Sequence, residues 1–108
     1  MIYELSRKAS HQIEEIIRYT DQNFGADQTE EYISGLYYSF DLLTDNPRMG
    51  RAYDARRRRY VYRSHHVYYR VLKDTILIVD IRHTRQSLAE STLPQKGIGN
   101  GILVCKQA

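Results

Sequence analysis

Two hydrophobic periods divide the chain. Up to about Thr44 the apolar positions recur at helical spacing, and from Arg57 onward they recur at every second residue. Ala9, Ile13, Ile16, Ile17, Thr20 and Phe24 form one stripe three to four residues apart, which predicts an amphipathic helix. Ser6 stands just ahead of it with a hydroxyl that can accept from the first free backbone N–H groups, so the helix is expected to begin at Arg7. Gly25 supplies the left-handed residue that commonly ends a helix. Ile33, Leu36, Tyr37, Phe40 and Leu43 define a second stripe and predict a helix from about Asp27 to Thr44. Asn46-Pro47 stops it, because the ring of a proline pushes the preceding residue out of the α region. The connection is so short that the two helices must double back as an antiparallel hairpin.

The remaining elements read as strands. Ile2 to Leu5 is long enough for a short first one. Tyr60 and Tyr62 alternate with Val61 and Arg63; beyond Ser64, Val67, Tyr69 and Val71 alternate with Tyr68 and Arg70. Lys73-Asp74-Thr75 is a tight turn, and Ile76 to His83 is a strongly β-branched strand. In that strand Leu77, Val79, Ile81 and His83 are expected toward the helices, with Ile76, Ile78, Asp80 and Arg82 on the open side. The fold class that follows is α+β: a short N-terminal strand, then a helical hairpin packed on a small, twisted, mainly antiparallel sheet of about three strands. Residues 1–90 are expected to form a single domain. After Glu90 the pattern dissolves into STLPQKGIGNGILVCKQA, which reads as a flexible tail over residues 91–108.

Composition narrows the function classes. The chain has 108 residues, of which 27% are charged and 42% hydrophobic, as in a soluble domain. It holds no apolar run long enough to span a bilayer. The opening MIYELSRKAS brings charge in early and argues against a secretory signal, so a cytoplasmic location is expected. A lone cysteine, Cys105, leaves no internal disulfide and no cysteine-based metal cluster, and no cofactor is expected. The net charge of +3 hides a strong segregation. Met1 to Pro47 carries three basic and nine acidic residues, whereas Arg48 to Lys73 carries nine basic and one acidic. A stretch that basic, interleaved with aromatics, points to a surface for an anionic partner rather than a merely solvated face.

The residues also match a pattern. Leu5, Ser6, Ala9, Ile13, Ile16, Tyr19, Phe24 and Gly25 are followed by Leu43, Asn46, Pro47, Met49, Gly50 and Arg51, then by HVYYRV from His66 to Val71. An IRHTRQ end with His83 and Arg85 completes the series. In this order and spacing, which runs from Ile2 to about Glu90, the chain resembles the ParE branch of the ParE/RelE toxin superfamily. The family's usual approach to the sheet has a glycine and a leucine before a pair of arginines. Here Arg56 and Arg57 replace them while Arg58 and Arg59 keep the pair. The resemblance implies a microbial ribonuclease-like fold and the toxin half of a type II toxin–antitoxin pair. It implies further a chain that inhibits DNA gyrase and blocks replication by binding. Its partner would be a ParD-like antitoxin with a ribbon-helix-helix domain and an acidic amphipathic tail, in a toxin–antitoxin hetero-oligomer.

The other branch cleaves mRNA on the ribosome, and that reading stays open as an alternative. It needs a general base, a general acid and cations. Arg82, His83 and Arg85 are its candidates, with His65 and His66 behind them, but a histidine on the apolar side of a strand end is more often a hydrogen-bonded structural residue. No glutamate lies in the strands from Tyr60 to His83, and Asp80 reads as a salt-bridge partner of Arg82. A basic interaction module without toxicity is the third reading. The four consecutive arginines cannot act as bases, their pKa lying above ~12, but they pair well with carboxylates and phosphates. Target binding is therefore expected at Arg58, Arg59, Arg63, Arg82 and Arg85, and antitoxin binding at Tyr32, Leu36, Tyr37, Phe40, Arg58, Arg59, Tyr60 and Arg63. Tyr69, between Val67 and Val71, is read as cross-strand packing.

Overall fold

The structure, a computed structural model, describes residues 1–84. Its elements are β1 (Ile2–Leu5), α1 (Arg7–Phe24), α2 (Ala26–Asp45), β2 (Arg51–Ala52), β3 (Arg58–Tyr62), β4 (His65–Val71) and β5 (Thr75–His83). Ser6 caps α1 as its hydroxyl accepts from the Ala9 N–H at 3.0 Å, and the same hydroxyl donates to the Val79 carbonyl at 3.1 Å. Gly25 alone joins the helices at φ 91°, a backbone shape that costs a side-chain-bearing residue dearly. Asn46 breaks α2 ahead of Pro47, so α2 extends one residue beyond the expected span at either end.

The sheet is larger than the alternation suggested. Five strands run in the order β1-β5-β4-β3-β2. β1 lies parallel to β5, pairing Tyr3 with Ile76 and Leu5 with Ile78, while the other pairings are antiparallel. The sheet is thus mixed, with two short edge strands. Both are too brief to announce themselves by period, and only one of them was anticipated as a strand at all. The helical hairpin covers one side of the sheet. Ala9 and Ile13 from α1, and Leu36, Phe40 and Leu43 from α2, close on Val67, Tyr69, Ile76, Ile78 and Ile81 to form the core.

The facing of β5 departs from the expected alternation. Ile76 and Ile78 are fully buried in the core, whereas Leu77 and Val79 keep part of their surface. The register then shifts: Tyr69 lies opposite Ile78 and Tyr68 opposite Asp80, which leaves Val79 as an extra residue. A bulge of this kind reverses the parity of everything after it. Ile81 and His83 therefore face the helices, as expected, although Ile76 and Ile78 do so too and Leu77 and Val79 do not.

The bulge sits where β1 has already ended, so the outer edge of β5 has no strand beside it. Gln12 of α1 fills that edge. Its Oε1 accepts from the Ile81 N–H at 2.7 Å and its amide donates to Asp80 at 2.8 Å. A buried backbone donor without such a partner would cost on the order of 1–3 kcal/mol.

Candidate functional site

The side of the sheet away from the helices brings Arg59, Tyr68, His66, Asp80 and Arg82 together. By register, Arg59 on β3 lies opposite Tyr68 on β4, which lies opposite Asp80 on β5, and His66 lies opposite Arg82. Arg57 joins them from the loop between β2 and β3. That loop is fastened by Asp54, whose carboxylate accepts the N–H groups of Arg56 and Arg57 at 3.0 and 2.7 Å and pairs with the Arg57 guanidinium at 2.8 Å. The Arg57 side chain and those N–H groups hold the Asp54 carboxyl below the usual carboxylate range.

Two tyrosine rings form the floor. Tyr68 and Tyr53 meet edge to face with centroids 4.8 Å apart. The Arg57 guanidinium lies 5.1 Å from the Tyr53 centroid and 5.7 Å from that of Tyr68. Arg59 lies 5.7 Å from Tyr53, and Arg82 5.4 Å from Tyr68. Tyr68 is only 2% exposed although it faces away from the core, because these cations and Tyr53 cover it. Each such contact contributes roughly 0.5–1 kcal/mol at a site of this kind.

The β5 carboxylate on this face is fully engaged. Asp80 accepts from Gln12, from Arg82 Nε at 3.0 Å and from Lys8 at 3.4 Å. Burial alone would raise its pKa, but the Gln12 amide and the two cations outweigh that and leave it below the ordinary value. It stays ionised and structural. His66 is half-buried here, and burial together with the Arg59 charge depresses its pKa.

The other two strand histidines are on the opposite side. His65 and His83 are buried with ring centroids 5.2 Å apart, His65 against Tyr32 of α2. The Tyr32 hydroxyl and His65 Nδ1 share a 2.7 Å hydrogen bond, and the Tyr62 hydroxyl donates to the Tyr32 carbonyl at 2.9 Å. Desolvation, with smaller contributions from His83 and His66, lowers the His65 pKa to about 3, so the imidazole is neutral. His83, at the end of β5, thus lies on the helix side of the sheet, as expected, and apart from Arg82 on the open face.

The expected site residues therefore separate. Arg59 and Arg82 stand on the open face. Arg58 points to the helix side, where its guanidinium donates to the Gly50 carbonyl at 2.6 Å and to that of Arg48 at 3.3 Å, holding the loop that follows α2. Arg63 was expected in line with Arg59 and Val61. Instead it occupies the β3–β4 turn at φ 48°, which turns it toward α2, near Glu31 and over the rings of Tyr32 and Tyr62. Arg85 lies outside the described residues. Tyr32, Leu36 and Phe40 are interior and present no surface to an antitoxin, because the hairpin spends its apolar stripe on its own sheet. Tyr37 and Tyr60 keep partial exposure, and Tyr38, on the solvent side of α2, is 63% exposed. Tyr69 is buried, its hydroxyl donating to the Pro47 carbonyl at 2.7 Å and accepting from the Gly50 N–H at 3.0 Å. Sequence reasoning missed Tyr53, Arg57 and Lys8. Tyr53 precedes the period-two pattern, Arg57 stands at its very start, and Lys8 belongs to a helix, so no alternation marked them.

Among the described residues no cluster of histidine, cysteine and carboxylate side chains could hold a metal ion, and no helix is long and apolar enough to cross a membrane. A shallow depression lined by Asp45, Asn46, Pro47, Arg48, Met49 and Val71 shares no residue with the arginine–tyrosine face.

Residues 3–88 match the family described as ParE toxin of type II toxin-antitoxin system, parDE. The chain belongs to the ParE toxin family. Among its relatives, Toxin ParE1 of Mycobacterium tuberculosis (strain H37Rv) is 38% identical over 90 residues, covering 80% of this chain and 92% of that protein. Toxin ParE1 of Caulobacter vibrioides is 33% identical over 72 residues, covering 64% of this chain and 75% of that protein. A solved structure titled as the chromosomal ParDE TA system from P. aeruginosa superposes with a TM-score of 0.66 at 16% identity, covering 77% of this chain and 95% of that one. At that identity the superposition speaks for the fold alone: two helices on a mixed five-stranded sheet.

Proposed function

We propose that this ParE-family toxin inhibits DNA gyrase and blocks replication by binding rather than by cutting. In this reading it acts in the cytoplasm and is neutralised by a ParD-like antitoxin in a hetero-oligomer. The observation that carries the non-enzymatic part is the composition of the open face. It concentrates Arg57, Arg59 and Arg82, and the carboxylates that touch these arginines are engaged: Asp54 pairs with Arg57, and Asp80 is tied to Gln12, Arg82 and Lys8 and stays ionised. Cations that hold an anion are in place there, and among the described residues beside them no matched proton donor and acceptor stand together. Family membership supports the gyrase target, and the ParDE title of the structural neighbour supports the antitoxin partner. A supercoiling assay with purified toxin tests the target: relaxed DNA should persist and cleaved complexes accumulate. Normal supercoiling with no cleaved complex refutes the assignment.

One observation keeps the ribosome-dependent ribonuclease as a second reading. His66, with its lowered pKa, stands on the open face between the Arg59 and Arg82 rows and would be neutral at pH 7, as a general base must be. Toeprinting on translating ribosomes decides this: A-site cuts that vanish in His66→Ala would support it, and an uncut message would remove it.

A further inference from the structure

We propose that the ligand of the open face is an unpaired nucleic-acid strand, its phosphates held by Arg57, Arg59 and Arg82 and one base laid against Tyr53. This rests on the reading of that face as the surface that engages the target. The geometry is the first ground. Three guanidinium groups are fixed against two touching rings, with Arg57 over both, Arg59 over Tyr53 and Arg82 over Tyr68. Cations arrayed in advance lose little freedom when an anion arrives, and planar guanidinium groups suit phosphate oxygens.

Charge is the second ground. Arg57 has Asp54 and Arg82 has Asp80, but Arg59 has no carboxylate partner among the described residues. The surrounding segment, Arg48 to Lys73, carries nine basic residues against one acidic. The third ground separates a nucleic acid from an acidic peptide, and a single strand from a duplex. Tyr53 is 44% exposed on the β2–β3 loop, beside two guanidinium planes. Base-on-aromatic stacking is available only to unpaired bases, and a carboxylate-bearing peptide gains nothing from it. Among the described residues the face carries nothing that singles out a 2′-hydroxyl, so deoxyribose and ribose strands should bind alike.

Fluorescence anisotropy with the full chain and a short labelled oligothymidylate tests this across a salt titration. Single strands lose affinity with a log–log slope of about −0.7 per neutralised phosphate, so three arginines predict a slope near −2. Arg59→Ala should flatten the slope by about 0.7 and weaken binding about tenfold at low salt. Arg18→Ala on exposed α1 removes the same charge elsewhere and should leave the slope unchanged. Arg59→Lys keeps the charge and guards against a folding defect: the slope should survive. Tyr53→Ala should weaken binding without altering the slope, and oligouridylate should match oligothymidylate. The proposal is overturned by no binding at about 50 mM salt, by equal effects of Arg59→Ala and Arg18→Ala, or by a duplex that binds more tightly than the single strand. It is overturned equally if polyglutamate at matched charge displaces the oligonucleotide as well as unlabelled strand does, which would make the face a carboxylate receptor. Gyrase inhibition without oligonucleotide binding defeats this inference and leaves the target reading standing; strand binding with gyrase unaffected does the reverse.

Discussion

The burial of His65 sets the sign of a change in acid stability. Its imidazole is 7% exposed, shares a hydrogen bond with the Tyr32 hydroxyl, and has a pKa lowered from the ordinary ~6.5 to about 3 by desolvation. A depressed folded-state pKa means that the unfolded chain binds the proton first. Stability is then complete above the unfolded value and falls as pH drops below it. Taking His65 alone, the loss between pH 7 and pH 5 is roughly 2 kcal/mol, growing to about 4 kcal/mol near pH 3. His66 is lowered as well and adds a change of the same sign, whereas the shifts at Asp54 and Asp80 act only below the ordinary carboxylate range. Denaturant unfolding of the full chain at pH 7 and pH 5 measures the total. His65→Gln, whose amide keeps an acceptor for Tyr32 and cannot titrate, isolates the residue: its loss over the same interval should be smaller by about 2 kcal/mol. An equal loss in both proteins, or an NMR titration showing His65 protonated at pH 5, would refute the argument.

Three more predictions follow from packing and charge. Gly35→Ala should destabilise the chain by about 1–3 kcal/mol by thermal unfolding, because a new Cβ runs into the Tyr62 hydroxyl, and adding Tyr62→Phe should recover most of the loss. A stabilised single variant would show that the contact yields freely. Asp80→Asn leaves Arg82 and Lys8 without their anion and should cost about 1–3 kcal/mol at pH 7, with the difference from the parent shrinking below pH 4 as the parent's own carboxylate is protonated. Arg59→Glu combined with Arg63→Glu should weaken antitoxin binding at least tenfold in calorimetry, since both are basic side chains at the surface. Unchanged affinity would place the antitoxin elsewhere.

The helices were legible because their signals were redundant: a stripe, a capping Ser6, a Gly25 and an Asn46-Pro47 all agreed. The β5 facing was not, because Ile76, Leu77, Ile78 and Val79 are all apolar and an unbroken apolar run carries no alternation to read. Arg82 and His83 still fell on their expected sides, since the mistaken starting face and the unseen bulge at Val79 cancel. Arg63 was misplaced because strand alternation was carried into a turn whose positive φ ends it. Among the four consecutive arginines, sequence could say that neighbours diverge in an extended chain; it could not say that Arg58 would be used by the Gly50 carbonyl and that Arg57 would remain with the site. Those outcomes depend on where the loop after α2 passes, which no local pattern encodes.

The single extra residue in β5 bears on what the open face can do. With Ile76 and Ile78 committed to the core, a regular strand would carry Asp80 and Arg82 inward and present Ile81 and His83 to the open side. The bulge exchanges them. An ionised carboxylate and a guanidinium are spared burial in the core, and a titratable imidazole is taken into it, where desolvation acts on its neighbour His65. The exchange needs an amide acceptor at the exposed strand edge, which Gln12 provides, and a donor for the bulged Val79 carbonyl, which Ser6 provides. Gln12→Ala should therefore disturb the open face from the far side of the sheet, loosening Asp80 and with it the anchor of Arg82. If amide exchange at Ile81 and the position of Arg82 over Tyr68 are both unchanged in that variant, the bulge holds itself, and the link from α1 to the arginine face is broken.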